Sequence, residues 1–186
     1  GAVLGVTAPE LSAQSTPLFA SDAPLEIVLD TAIAKINSSR KRSKQKEYPG
    51  HIYWRDRYGK VQTLALQVMA RGNYRRKNCS NPPLRWNFKK KQLSGSVFEG
   101  QDKIKLVRPC FNTDRAEQWV MQEYLIYKNY QLLTDASFRV RPVMLRYGKS
   151  INAAKDKTRF AFLIEPEKAL ARRLGGTVIK PSKIRT

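Results

Sequence analysis

His51-Ile-Tyr-Trp-Arg55, Asp56-Arg57-Tyr58-Gly59, then Val61-Gln-Thr-Leu-Ala-Leu-Gln-Val-Met-Ala70: this stretch reads as two strands joined by a turn. In the second strand Gln62, Leu64, Leu66, Val68 and Ala70 share one face, the period of two that a half-buried strand requires. The same alternation recurs on both sides. Leu25, Ile27 and Leu29 alternate with Glu26 and Asp30, and Leu84, Trp86 and Phe88 with Arg85, Asn87 and Lys89. Ile104 and Leu106 stand opposite Lys103 and Lys105. Phe138 and Val140 alternate with Arg139 and Arg141, but beyond Pro142 the phase moves to Val143, Leu145 and Tyr147, which predicts a bulge at Pro142. Phe160–Ile164 is a last strand.

Only one long helix is predicted. It starts at Asp114 and Glu117, in capping-box spacing, and runs to Leu133. A short helix over Glu167–Leu174 would end at Gly175-Gly176. The expected fold class is α+β, a mostly antiparallel sheet packed by one main helix. The chain divides into a tail at 1–23, a single α+β domain at 24–176 and an extension at 177–186.

With 186 residues and 21.3 kDa, there is enough chain for one ordinary core. Hydrophobic content of 41% and charged content of 27% are globular values and exclude wholesale disorder. No apolar run reaches the roughly 18 residues of a membrane-spanning helix. The exceptional quantity is charge: 35 Lys and Arg against 15 Asp and Glu, a net +20. Residues 1–24 contain no base and two acids (Glu10 and Asp22), so the positive field belongs to the remainder. It favours an acidic or phosphate-rich partner: nucleic acid, acidic protein or an anionic membrane surface.

Other chemistry is thin. His51 is the only histidine, which argues against a multi-histidine metal centre; beside Tyr48, Ile52 and Tyr53 it reads as a strand or turn residue. No Walker A, GxGxxG, HExxH, CxxC or EF-hand pattern occurs. Cys79 and Cys110 leave three readings open: one disulfide, two free thiols, or two small buried residues. Export would favour the disulfide. Gly1–Val6 followed by residues 7–14, with Leu11-Ser12-Ala13, reads either as the tail of a secretory signal or as a plain arm of small residues. The first reading expects a secreted or periplasmic protein.

Glu123 is the carboxylate that the helix pattern singles out. On a helical wheel it falls near the centre of an arc formed by Ala116, Trp119, Val120, Tyr124, Tyr127 and Tyr130. A carboxylate there costs several kcal/mol unless paired, and the strand Lys103–Lys105 precedes the helix. Two readings stand: a structural ion pair or solvent-edge Glu, or a helix Glu paired with a strand Lys to orient nucleotide phosphates, as in protein kinases.

Val68-Met69-Ala70-Arg71-Gly72-Asn73 and Pro83-Leu84-Arg85-Trp86-Asn87-Phe88 together resemble the opening of the spore-coat-protein-H (CotH) kinase-like family. There an Arg-Gly-Asn turn is followed by a Pro and a basic-aromatic strand. Asp102–Leu106 leading into Gln118–Tyr130, then Phe138–Tyr147, then Phe160–Glu165 continue the similarity from about Val61 to Gly176. The resemblance implies the amino-terminal, nucleotide-side lobe of an atypical protein kinase that uses ATP and metal. Arg71, Arg85, Lys103, Lys105 and Glu123 would then touch phosphates or order the lobe. The family's catalytic and metal-binding aspartates lie in a second lobe, and this chain has no acid after Glu167. The resemblance therefore implies no catalytic activity for these residues alone, and magnesium only together with a missing carboxy-terminal lobe.

The competing expectation is a basic polyanion-binding module. Its basis is two basic segments, Lys35–Lys46 and Arg71–Lys91, with the aromatics Tyr58, Tyr74 and Trp86. Interleaved cations and rings suit single-stranded nucleic acid. They equally suit docking on an acidic surface partner.

Overall fold

The computed structural model describes residues 16–39, 45–153 and 157–179. Seven strands carry the fold: β1 (Leu25–Thr31), β2 (Tyr48–Arg55), β3 (Val61–Ala70), β4 (Leu84–Phe88), β5 (Lys103–Val107), β6 (Val140–Tyr147) and β7 (Arg159–Ile164). They pair in the order β1-β2-β3-β4-β5-β7-β6, and β6 returns to β1, closing a barrel. Every pairing is antiparallel except β1 with β6, which is parallel, from Leu25 opposite Val143 to Leu29 opposite Tyr147.

This closure corrects the expected fold class. The chain does not form an α+β sheet packed by one main helix in the manner of a kinase amino-terminal lobe. Because β1 and β6 join the two edges, the main core lies inside the barrel. Ile52 and Trp54, Leu64 to Ala70 in alternation, Leu84, Trp86, Phe88, Ile104 and Leu106 all enter it. Closure also leaves no open sheet edge among the described residues. From the loop between β4 and β5, Phe98 plugs the interior, its ring 5.3 Å from both Trp54 and Phe88. Leu18, in a 3-10 turn at Pro17–Phe19, is fully buried in the same cluster. The signal-like residues 1–14 lie outside the described residues, as do residues 40–44 of the first basic segment and 180–186 of the extension.

Gly50 marks a close approach between β1 and β2. A Cβ there would stand 2.6 Å from the Asp30 carbonyl oxygen, so any side chain would force the strands apart.

Among the described residues four α-helices complete the fold: α1 (Ile33–Ser38), α2 (Tyr74–Asn78), α3 (Asp114–Leu133) and α4 (Glu167–Arg173). Helix α3 lies outside the barrel, against β6 and β7. Val120, Tyr124 and Tyr127 pack there with Val140, Phe160 and Phe162. Strand β7 is thus buried on both sides, Ala161 and Leu163 inward and Phe160, Phe162 and Ile164 under the helix. The same sandwiching explains Pro142. Register runs without interruption from Val140 opposite Ile164 to Leu145 opposite Arg159, so the phase change is not a bulge. Val140 faces the helix while Val143 and Leu145 face the interior. The proline is tolerated where pairing with β1 has not yet begun.

The cap of α3 also differs from the expected one. Thr113 is the N-cap, its hydroxyl accepting from the Ala116 amide at 3.2 Å. Glu117 instead reaches β7, accepting from the Phe160 amide at 2.6 Å and from Arg159 at 2.7 Å.

Candidate functional site

Where β3 ends, the chain turns sharply and places three cations around one cleft. Arg71 follows the last residue of β3, its amide donating to the Pro83 carbonyl at 2.8 Å. Gly72 takes φ +89°, a left-handed conformation that suits glycine, and α2 follows at once. The cleft has a volume of about 350 Å³ and is lined by Arg71, Arg75, Lys105, Glu123, Glu167 and Tyr127, among others. Phe138 and Tyr127 form its apolar wall, their rings 6.5 Å apart.

Two of the three cations are already engaged. Arg75 donates to Glu123 at 3.2 Å and to the Arg108 carbonyl at 3.0 Å. Lys105 bonds Glu167, and that contact holds the Glu167 carboxyl below its ordinary range. Arg71 is different. Half-buried, its side chain makes no hydrogen bond or ion pair among the described residues; Glu167 and Glu123 act on it only through space. Burial pulls its pKa down from the ordinary guanidinium value, although an arginine so placed stays charged. Three cations against two carboxylates leave the cleft net positive.

Compared with protein-family models, with curated proteins and with solved structures, the chain matches none.

The residues that the kinase-like resemblance selected divide into two groups. Arg71, Lys105 and Glu123 line one cleft. Arg85 sits beside Lys105 in register, on the outer face of β4, and is held by Glu47 at 3.1 Å. Lys103 is exposed and lines a wider groove with Lys90, Lys168 and Arg172, beneath α4. The helix Glu does not pair with a strand Lys. Glu123 belongs to Arg75, and Lys105 belongs to Glu167. On α3 itself, Trp119 and Tyr130 point to solvent, so Glu123 stands at the edge of the packed face and not at its centre.

Arg75, Glu167 and Tyr127 complete the cleft without having been assigned to it from the sequence. The signal for Arg75 was its place in the basic run after Gly72, but α2 has no apolar period that would orient it. Trp86, grouped with Tyr58 and Tyr74 as a ring for the polyanion reading, is fully buried inside the barrel, and Tyr58 sits at the tip of the β2–β3 turn, at the far end of β3 from Arg71. Among the described residues no three His, Cys, Asp or Glu side chains converge as a metal site.

The cleft is braced from behind. Cys79 and Cys110 form a disulfide that ties the end of α2 to the segment before α3. Arg108, fully enclosed, donates to the Pro82 carbonyl at 2.8 Å and to the Tyr147 hydroxyl at 2.6 Å. Helix α4 is anchored by Arg173, which donates to both carboxylate oxygens of buried Glu165, at 3.2 and 2.9 Å. Arg75 and Glu167 are therefore presented by elements fixed at their ends.

Proposed function

We propose that this barrel is a binding module for a phosphate-bearing polyanion, with Arg71 as the contact that holds a phosphate in the cleft. The observation carrying this reading is the Arg71 guanidinium, half-buried and unengaged beside Arg75 and Lys105. Partial desolvation makes such a group costly to leave unpaired. A phosphate oxyanion offers the planar fork what it lacks, and guanidinium is well matched to phosphate geometry. The net charge of +20 supplies long-range attraction toward any such ligand.

ATP and other phosphate carriers share this chemistry, so the nucleotide-side role implied by the kinase-like resemblance becomes one arm of the test. The Cys79–Cys110 bridge supports, for the same reading, a protein working in an oxidising compartment outside the cytosol.

The test measures binding of inorganic polyphosphate, a single strand of about 20 nucleotides and ATP with and without Mg²⁺. Each is titrated against the wild-type chain and Arg71→Ala over a salt series. Polyphosphate and the strand should bind without Mg²⁺, weaken steeply with salt, and lose about tenfold in affinity with Arg71→Ala. Arg57→Ala, at the β2–β3 turn, serves as the control for general charge. Equal losses for the two variants would remove the cleft from the proposal. Binding of ATP alone, and only with Mg²⁺, would return the kinase-like role.

A further inference from the structure

Among the described residues, the outer side of α3 exposes large apolar side chains beside the amides Gln118, Gln122 and Asn129. Trp119, Ile126, Tyr130 and Leu133 form one stripe at helical spacing, Leu125 and Leu132 form a second row beyond Gln122 and Asn129, and all six apolar residues are exposed. Leu132 and Leu133 are 85% and 80% accessible. Between Gln118 and Leu133 the helix has only two charged side chains, Glu123 and Lys128, and both are paired, with Arg75 and with Asp22. In a chain that is 27% charged, a stretch of about 24 Å that has no unpaired charge and exposes six large apolar side chains is not a surface shaped for water alone. The apolar surface continues past the disulfide, where Tyr74 and Phe111 join Trp119 around a second cleft of about 320 Å³.

We propose that this face docks on an anionic lipid bilayer, the α3 stripe entering the headgroup boundary while the neighbouring cationic cleft engages lipid phosphates. The inference rests on the polyanion reading above and names the partner of that same site. Charge complementarity chooses the occupant. A second copy of the chain would bring another +20 to the same contact, whereas an anionic leaflet attracts it. Arg75 lines both clefts, and Arg115 stands over the Trp119 ring at 5.4 Å. Cations therefore border the apolar stripe at the end where Trp119 and Tyr74 emerge, and rings of this kind settle at membrane interfaces. Apolar area and basic charge acting together are what surface-bound helices require.

Trp119 gives a direct readout, because Trp54 and Trp86 are buried in the barrel. The full chain is mixed with vesicles of phosphatidylcholine alone or equimolar with phosphatidylglycerol, followed by sedimentation and tryptophan emission. We expect cosedimentation with the anionic vesicles at least about tenfold stronger than with neutral ones, and a blue shift of Trp119 on binding. Ile126→Asp and Leu133→Asp, at exposed positions, should lower vesicle affinity about tenfold while leaving polyphosphate affinity unchanged. Tyr58→Asp, at the turn far from α3, should change neither.

Four results would overturn the inference. One is polyphosphate binding without vesicle binding, which leaves the cleft reading intact. Another is cosedimentation with Trp119 emission unmoved, which reduces attachment to charge alone. A third is equal binding to neutral and anionic vesicles. The last is a dimer in solution that Ile126→Asp splits, which assigns the face to a second copy. Loss of polyphosphate binding as well would instead strike the cleft reading itself.

Discussion

Arg75 and Glu123 meet at 3.2 Å, and the pair forms the common wall of two clefts, one cationic around Arg71 and one aromatic around Trp119. Both side chains are about one third exposed. The pair is thus a partition that water screens, not a buried strut.

Removing the acid from this partition should therefore favour a polyanion. Glu123→Gln leaves Arg75 unneutralised and should raise polyphosphate affinity about two- to fivefold at low salt, an advantage lost at high salt. Stability should change by less than about 1 kcal/mol, as for other exposed ion pairs. Titration calorimetry and thermal unfolding check the two halves. Weaker binding by the variant would mean that Glu123 itself contacts the ligand.

The Lys105–Glu167 pair makes an acid-sensitive prediction. The hydrogen bond from Lys105, the largest cause, holds the Glu167 carboxyl below its ordinary 4.5. The pair's contribution is therefore complete above 4.5 and is lost as pH falls through the lower folded value. Urea unfolding of the wild-type chain against Glu167→Gln should show a constant difference from neutral pH down toward 4.5, closing as the pH falls further. Since Glu167 is half exposed, that difference should stay under about 1 kcal/mol. A difference that grows on acidification would contradict the assignment.

Buried Glu165 and Arg173 should behave differently from these exposed pairs. Arg173→Ala strands a carboxylate that is almost fully enclosed and retains only the Arg139 amide, at 3.1 Å. The expected cost is about 3–5 kcal/mol, read from the urea midpoint. Replacing both residues by apolar ones of similar size should cost less than Arg173→Ala alone.

Reduction of Cys79–Cys110 opens a loop of 31 residues. The chain-entropy estimate is a loss of about 3–4 kcal/mol. Because the bridge anchors α2, the Cys79→Ser/Cys110→Ser chain should also bind polyphosphate more weakly, through a loosened Arg75. Unchanged affinity in a folded double variant would separate the bridge from the cleft.

Phe98 is the plug of the barrel, in contact with Trp54 and Phe88 and fully buried. Phe98→Ala should cost about 3–5 kcal/mol in equilibrium unfolding. A smaller loss would mean that the loop from Lys89 to Asp102 can collapse into the space.

Much of the barrel was legible wherever one strand face meets water. Leu84, Trp86 and Phe88 alternate cleanly with Arg85 and Asn87 because the outer face of β4 carries no helix. The signal failed at β6, where helix α3 buries Val140 and the interior buries Val143, so an ordinary register looked like a bulge at Pro142. Closure had no local signature at all, since it depends on Leu25 finding Val143. In the cleft, the helix pattern points to Glu123, whereas Arg71 and Lys105 come only from the kinase-like resemblance. Their partners were not legible, because Arg75 sits on a five-residue helix whose orientation is set by a disulfide and by Arg108, not by its own pattern. Trp119 was counted among the packed residues of α3, and only the contact with β7 shows that the packed arc is centred nearer Val120 and Tyr124.

The parallel seam between β1 and β6 has a consequence for synthesis. Leu25 waits for Val143, 118 positions later, and β7 must still follow to complete the ring. Until then a nascent chain emerging from the ribosome carries β1 with one side unpaired, an open edge that can recruit other strands. The risk lasts while the 118 positions between Leu25 and Val143 are made and ends only when β6 and β7 have emerged. Yield in a cell should therefore respond to elongation speed and to chaperones that shield β1, more than to the stability of the finished barrel.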